Sequence, residues 1–335
     1  MAVSIKDVAR RAGVSLGTVS NVLNRPDHVA PATRERVRQA IAEIGYVRND
    51  SARQLRAGRS RTLAMVVLDM ANPFFTDVAR GAEEEAAGQG AMLVLCNSGS
   101  DARRERRHLE QIAEQRMRGV LLTPVLGSGD DPLEMLAAQS IPAVLVDRGS
   151  PRPDRCSVTV DDVLGGRLAA RHLLELGHTH LGFVGGPVSV TQVADRLHGA
   201  AEVARGAGAR LDHVATAAPT VAAGRDATAA LLTAAIRPTA LFCANDLLAL
   251  GALQALILAG LSVPGDMAVI GYDDIDFAAA AAVPLSSVRQ PREELGRSAA
   301  RLLLEEADGT ADHRHQHVVF MPELVVRRST DPGCR

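Results

Sequence analysis

From residue 62 onward the chain alternates unbroken apolar runs with segments whose apolar positions recur every three or four residues. The runs Leu63–Asp69, Met92–Cys96, Gly119–Thr123, Ala143–Asp147, Leu181–Val184, Ala240–Ala244 and Val269–Tyr272 read as strands. Most are continuously apolar rather than alternating, which is the pattern of a parallel sheet covered by helices on both faces. A helical pattern follows each, as in Ala102–Arg116 and Asp246–Ala259. The body is therefore predicted to be α/β and doubly wound, with ligands bound beyond the carboxyl ends of its strands. Polar groups gather at those ends: Asn72-Pro73-Phe74-Phe75, Asp147-Arg148, Asn245-Asp246 and Asp273-Asp274. Carboxylates, amides, guanidinium groups and a ring in one cleft suit a small polar or polyhydroxylated molecule.

The first sixty residues follow a different pattern. Ser4 precedes a short helix with Ile5, Val8, Ala9 and Ala12 on one face, and Gly13 ends it where the backbone needs a positive φ. Ser15 then caps a second helix with Val19 and Val22 or Leu23 inward. A small residue at the crossing, a glycine in the turn and a branched residue beneath are what two closely crossing helices need, so this is predicted to be a helix-turn-helix. A third helix spans Pro31–Ile44, with Val37, Ile41 and Ile44 on one face and Gly45 as its stop. The piece Ala52-Arg53-Gln54-Leu55-Arg56 is too short to hold as an isolated helix. It reads as a linker, or as a hinge that turns helical on DNA and offers Leu55 for insertion into a base step.

Charge sharpens the division. Residues 1–61 hold twelve basic and five acidic residues, a balance of +7, while the remainder stands at −9, so the net −2 hides a cationic head on an anionic body. Such a head suits a polyanion. Lys6 is the only lysine. P-loop kinases, Schiff-base enzymes and Ser–Lys hydrolases, which need a lysine in their sites, are thereby excluded. Aromatics are 2% of the chain, and the four scattered cysteines form neither a disulfide framework nor a CxxC pattern. No apolar run approaches the ~20 residues of a membrane span, and charge at Lys6 and Asp7 precedes any signal-peptide core. A cytoplasmic protein is expected.

The runs IKDVARRAGVSLGTVSNVLN, TRERVRQAIAEIGY and NDSARQLRAG resemble the DNA-binding head of the lactose-repressor (LacI/GalR) family of transcription regulators. The resemblance continues through ANPFF, LLELGHTHLGFVGGP, DRLHG, ANDLLALGAL, VIGYDD, SSVRQP and MPELVVRRST, nearly the whole chain. It implies an all-α helix-turn-helix head plus an α/β body of two doubly wound subdomains of the periplasmic-binding-protein type. The expected division is a head over 1–46, a hinge helix and linker over 47–61, and an effector-binding and dimerisation body over 62–335. Within the body, one subdomain takes about 62–159 and 289–318 and the other about 160–288 and 319–335, with crossovers near 159–161, 288–290 and 318–320. Effector contacts carry over to Phe74, Phe75, Asp147, Arg196, Asn245, Asp273 and Gln290. Many relatives place an aromatic in a Gly-Asp-Phe stretch that reads Ala217-Ala218-Pro219-Thr220 here, which implies that one stacking wall is lost.

In the head, Leu16, Gly17 and Asn21 lie on the exposed N-terminal part of the second helix, where base edges are reached, and Leu55 is expected in the central step. Ser4, Ser15, Thr18, Asn24, Thr33 and Tyr46 suit backbone contacts. The expected function is that of a homodimeric regulator, a repressor, on a palindromic double-stranded operator, controlled by a small polar, sugar-like effector and needing no cofactor. A solute receptor on the same body would carry a signal peptide and no basic head. An enzyme would need a base–nucleophile pair, and none is evident. Gly13-Val14-Ser15-Leu16-Gly17 matches the G-x-S-x-G elbow, but a helix stands where that elbow requires a strand. The arginine run Arg103–Arg107 reads as a solvated helix face among Asp101, Glu105 and Glu110, and Cys96 and Cys243 as small core residues. His313-Arg314-His315-Gln316-His317, read as lacking acidic or thiol partners for an ion, is expected to be solvated rather than a metal site.

Overall fold

The computed structural model describes residues 3–47, 60–125, 132–150, 152–309, 313–331 and 333. The chain forms two compact units, Met1–Ser60 and Arg61–Arg335. Leu55 and most of the expected hinge lie outside the described residues.

The first unit holds α1 (Ile5–Ala12), α2 (Leu16–Asn24) and α3 (Pro31–Ile44). Asp7 accepts hydrogen bonds from the Ser4 N–H and hydroxyl, which fixes the start of α1, and Gly13 ends it at φ 66°. The Ser15 hydroxyl accepts from the Thr18 N–H at 3.1 Å and starts α2 three residues later. Val8, Ala9, Val19, Val22, Val37 and Ala40 form the core of this unit. Arg11 and Glu43 pair across its surface.

The second unit contains two six-stranded sheets. The first has the order β11-β5-β4-β3-β1-β2, built from β1 (Thr62–Val67), β2 (Met92–Asn97), β3 (Gly119–Leu122), β4 (Ala143–Val146), β5 (Ser157–Val160) and β11 (His317–Phe320). The second has the order β12-β10-β9-β8-β6-β7, from β6 (His180–Gly185), β7 (Arg210–Ala215), β8 (Ala240–Cys243), β9 (Ala268–Asp273), β10 (Ser286–Arg289) and β12 (Glu323–Val325). Their described pairings are parallel except that of β12 with β10. The first sheet is flanked by α4 (Pro73–Gly88), α5 (Ala102–Glu114), α6 (Pro132–Ala138) and α12 (Arg292–Ala307). The second is flanked by α7 (Asp162–Glu175), α8 (Thr191–Gly206), α9 (Val221–Leu232) and α10 (Asp246–Leu258), with the short α11 (Asp276–Ala280) beside α10.

The chain passes between sheets after Val160, after Arg289 and after Phe320. The last passage falls two residues beyond the expected end of its segment at 318, because Val319 and Phe320 still pair with Thr159 and Val160. Glycines let helices cross closely on both subdomains. A Cβ on Gly81 would stand 1.9 Å from the Glu293 carbonyl oxygen, and one on Gly166 would stand 2.0 Å from that of Arg196. α4 therefore lies against α12, and α7 against α8, at backbone contact.

Candidate effector cleft and DNA-reading head

Three aspartates converge on one buried arginine where the strands end. Arg196, on α8, is 6% exposed. Its Nε donates to Asp162 Oδ1 at 2.8 Å and its Nη1 to the Ala244 carbonyl at 2.7 Å, while Asp273 Oδ1 stands 3.9 Å from Nη1. The guanidinium carbon lies 3.6 Å from the Tyr272 ring centre, a stacked cation–π contact. Burial opposes the Arg196 charge, but Asp162, Tyr272, Asp273 and Asp147 outweigh it and hold the guanidinium above its ordinary pKa.

Asp147 follows β4 of the first sheet and faces this cluster. Gln192 of α8 donates to its backbone oxygen and, at 2.9 Å, to Oδ2, joining the two subdomains. Burial, reinforced by Asp162 and only partly offset by Arg196, pushes its carboxyl up to about 8. Asp273 ends β9; burial raises it to about 6 against the pull of Arg196. Asp147 and Asp273 take φ of 58° and 103°, a region side-chain-bearing residues seldom adopt, so backbone strain is stored at both walls.

Gln290 follows β10 and donates to Asp273 Oδ1 at 2.7 Å. Its Oε1 and the Asp147 Oδ1 are buried oxygens without a protein partner. Leaving such atoms unpaired costs roughly 1–3 kcal/mol each, so the cluster suits a ligand that brings polar groups able to donate and accept.

Not every expected residue offers itself to a ligand. Asn245 caps α10: its Oδ1 accepts from the Leu248 N–H at 2.9 Å and its Nδ2 donates to the Pro219 carbonyl at 3.2 Å. Phe74 and Phe75 are 2% and 6% exposed and pack edge to face at 5.1 Å in the first-sheet core, leaving little ring surface for an effector. Asn72 caps α4 through the Phe74 N–H. Asp246 is fully buried and accepts from Ser287 Oγ and the Ile275 N–H at 2.6 and 2.8 Å.

Sequence reasoning missed Asp162, Tyr272, Gln192 and Arg292. Arg292, from α12, donates to the Asp273 and Asp274 carbonyls and pairs with Asp77 of α4 at 2.8 Å, so it pins the first subdomain to the end of β9. A signal was present in DDV and VIGYDD, where charge and a ring sit beside buried strand ends, but it reads equally as helix capping.

In the head, Leu16 is 44% exposed, and Gly17 and, one turn further along α2, Asn21 are exposed as well, while Val19 and Val22 face the core. Ser4 and Ser15 act as caps, Thr18 lies 2.9 Å from Ser15 through its hydroxyl, and Asn24 donates to the Ser20 carbonyl. Thr33 is half-buried near the start of α3, and Tyr46 packs against the head core.

A helix-turn-helix unit and a two-subdomain body with a polar cleft define a DNA-binding regulator controlled by a small molecule. Two family descriptions match: "Bacterial regulatory proteins, lacI family" over residues 4–49 and "Periplasmic binding protein-like domain" over 170–330. The chain is 34% identical over 336 residues to the HTH-type transcriptional regulator DegA of Bacillus subtilis, covering 99% of each. It is 36% identical over 333 residues to the HTH-type transcriptional repressor PurR of Haemophilus influenzae, covering 97% of this chain and 98% of that one. Among solved structures it is similar to the lac repressor dimer bound to operator and the anti-inducer ONPF, with a TM-score of 0.86 and 29% identity over 98% of this chain and 99% of that one. The complex of the transcriptional regulator CelR with cellobiose matches with a TM-score of 0.72 and 35% identity, again over 98% and 99%. The chain belongs to the LacI family of bacterial transcription regulators. Its relatives are regulators, not enzymes, and no described helix is long and apolar enough to cross a membrane.

Proposed function

We propose that this regulator is a cytoplasmic repressor that binds a palindromic operator as a homodimer and that a small polyhydroxylated effector in the Asp147–Arg196–Asp273 cleft sets its DNA affinity. The observation that carries the effector class is the pair of buried, unpartnered oxygens, Asp147 Oδ1 and Gln290 Oε1, beside carboxyl groups and a buried arginine. A sugar-like molecule has hydroxyls that can donate to Gln290 Oε1, donate to or accept from the Asp147 carboxyl, and accept from the guanidinium. The cleft also spans both subdomains, so a ligand bound there has leverage over their closure.

Residues 1–46 act as the reading head and 47–61 as the hinge. Leu16, Gly17 and Asn21 face base edges, and Ser4, Ser15, Thr18, Asn24, Thr33 and Tyr46 line the phosphates. Exposed apolar side chains support self-association: Met92 on the edge strand β2, and Ile257 and Leu258 at the end of α10, are 62%, 48% and 76% exposed.

The deciding experiment is a thermal-shift screen of the full chain against sugars, nucleosides and amino acids, followed by titration of each hit into a fluorescent operator complex. A hit should change operator affinity, and Asp147→Ala should weaken its binding. Hits confined to aromatic or anionic compounds, or an effector response untouched by Asp147→Ala, would remove this cleft from the account. Leu55→Ala should abolish specific operator binding and spare effector binding.

A further inference from the structure

The fold supplies the histidine cluster with a distant thiol and with an acid from the end of α12. Cys156 directly precedes β5, Glu306 sits in the last turn of α12, and His313 and His315 lie just before β11. One ligand atom from each lies within 4.8 Å of all the others. We propose that Cys156, Glu306, His313 and His315 bind a divalent zinc ion, a site distinct from the effector cleft.

The distances favour an ion over a hydrogen-bonded cluster. Cys156 Sγ stands 3.6 Å from His313 Nε2 and 3.8 Å from His315 Nδ1, and Glu306 Oε2 stands 3.7 and 3.9 Å from the same two nitrogens. Zinc at ~2.3 Å from sulfur and ~2.0–2.1 Å from nitrogen or oxygen sets tetrahedral edges of roughly 3.6 Å for S···N and 3.3 Å for N···O. The sulfur edges match, and the carboxylate must move in by only a few tenths of an ångström. As hydrogen bonds, the carboxylate–imidazole contacts are too long.

The surroundings point the same way. Cys156 is fully buried, the His313 side chain is 9% exposed, and Glu306 Oε2 is buried without a hydrogen-bond partner. Nearby Arg301 is paired with Glu305 at 2.9 Å. The Gln316 N–H reaches Cys156 Sγ at 3.4 Å, as backbone amides do around zinc-bound thiolates. The mixed sulfur, nitrogen and oxygen set suits zinc and excludes calcium and magnesium, which take oxygen ligands. Four protein ligands close the coordination sphere, so the ion has a stapling role and not a hydrolytic one. It ties the segment before β11 to α12 and β5 at the amino ends of the first sheet's strands, opposite the cleft.

The test uses the tag-free full-length chain, stripped with chelator and titrated with Zn²⁺ and, as a spectroscopic probe, Co²⁺. Expected are one ion per chain, the strong visible bands of tetrahedral Co²⁺, a thiolate-to-cobalt charge-transfer band, and a raised thermal midpoint with Zn²⁺. Cys156→Ser should remove the charge-transfer band, and His313→Ala, His315→Ala and Glu306→Gln should each weaken binding at least about tenfold. Arg314→Ala, in the same segment, should bind normally. Circular dichroism and operator binding report whether each variant folds, and the near-isosteric Cys156→Ser and Glu306→Gln keep the test open if an alanine variant does not. No retained ion, octahedral cobalt spectra without sulfur charge transfer, or affinity unchanged in Cys156→Ser and Glu306→Gln would overturn the site.

Discussion

Arg196→Met removes the buried cation at the centre of the cleft's carboxylates while keeping most of the side chain's volume. Asp162, 2.8 Å from the guanidinium, loses its partner at 5% exposure, and the Ala244 carbonyl loses its donor. Breaking one side of a buried ion pair costs about 3–5 kcal/mol, and the lost stacking on Tyr272 adds to it. For a body of this size that is a fall in melting temperature of roughly 10 °C. Urea denaturation followed by circular dichroism measures it directly. The double variant Arg196→Met/Asp162→Asn should recover part of the loss, because it neutralises the stranded charge. An Arg196→Met protein within about 1 kcal/mol of the parent, or one that the second substitution leaves unchanged, would refute the view that Arg196 holds the cleft together.

Further outcomes follow from the same geometry. Asp147 and Asp273, raised to about 8 and about 6, hold protons in the folded body that the unfolded chain releases near ~3.9. Their contribution to stability is therefore greatest below ~4, declines as pH rises from there, ends near 6 for Asp273 and near 8 for Asp147, and is flat above that; denaturation from about pH 4 to 8 should show a shallower decline in Asp147→Asn. Gly199→Ala would place a Cβ 2.0 Å from the Val163 carbonyl oxygen and force α7 and α8 apart, costing about 1–3 kcal/mol or more, whereas Gly206→Ala, with nothing within 4 Å, should be neutral or slightly stabilising by melting temperature. Asn21→Ala should cost about 1–3 kcal/mol at one base pair per half-site, and equal loss on random DNA would make Asn21 a backbone contact. Operator affinity should fall roughly tenfold or more between 50 and 200 mM salt, and a salt-insensitive complex would contradict phosphate binding by the basic head.

Where apolar residues dominate, the sequence alone determined much of this protein. The head helices were legible from Ser4, Gly13, Ser15 and Gly45, because caps and stops are local chemistry, and Gly13 and Gly45 take φ of 66° and 64° as such positions require. The runs that became β1, β3, β4, β6, β8 and β9 were legible because their burial is nearly complete and shows as uninterrupted hydrophobicity. The charge division and the DNA-reading motif needed no coordinates.

Only the tertiary structure decided the strands and sites made of polar residues. β5 (SVTV) and β10 (SSVR) carry buried serines whose partners lie far along the chain: Ser157 meets His317, Ser286 meets Ser329 and Thr330, and Ser287 meets Asp246. A pattern of local hydrophobicity cannot register a polar residue that is satisfied from more than forty positions away. Arg196 shows the same limit. Its residue type drew notice, but Asp162, Tyr272 and Ala244 reach it only when α7, β8, β9 and α8 pack around one point. The histidines before β11 marked a segment whose thiol partner stands 157 positions away. Parallel pairing of β5 with β11 and the length of α12 bring in Cys156 and Glu306, since a fold sets neighbours in space and a sequence window sees them only along the chain.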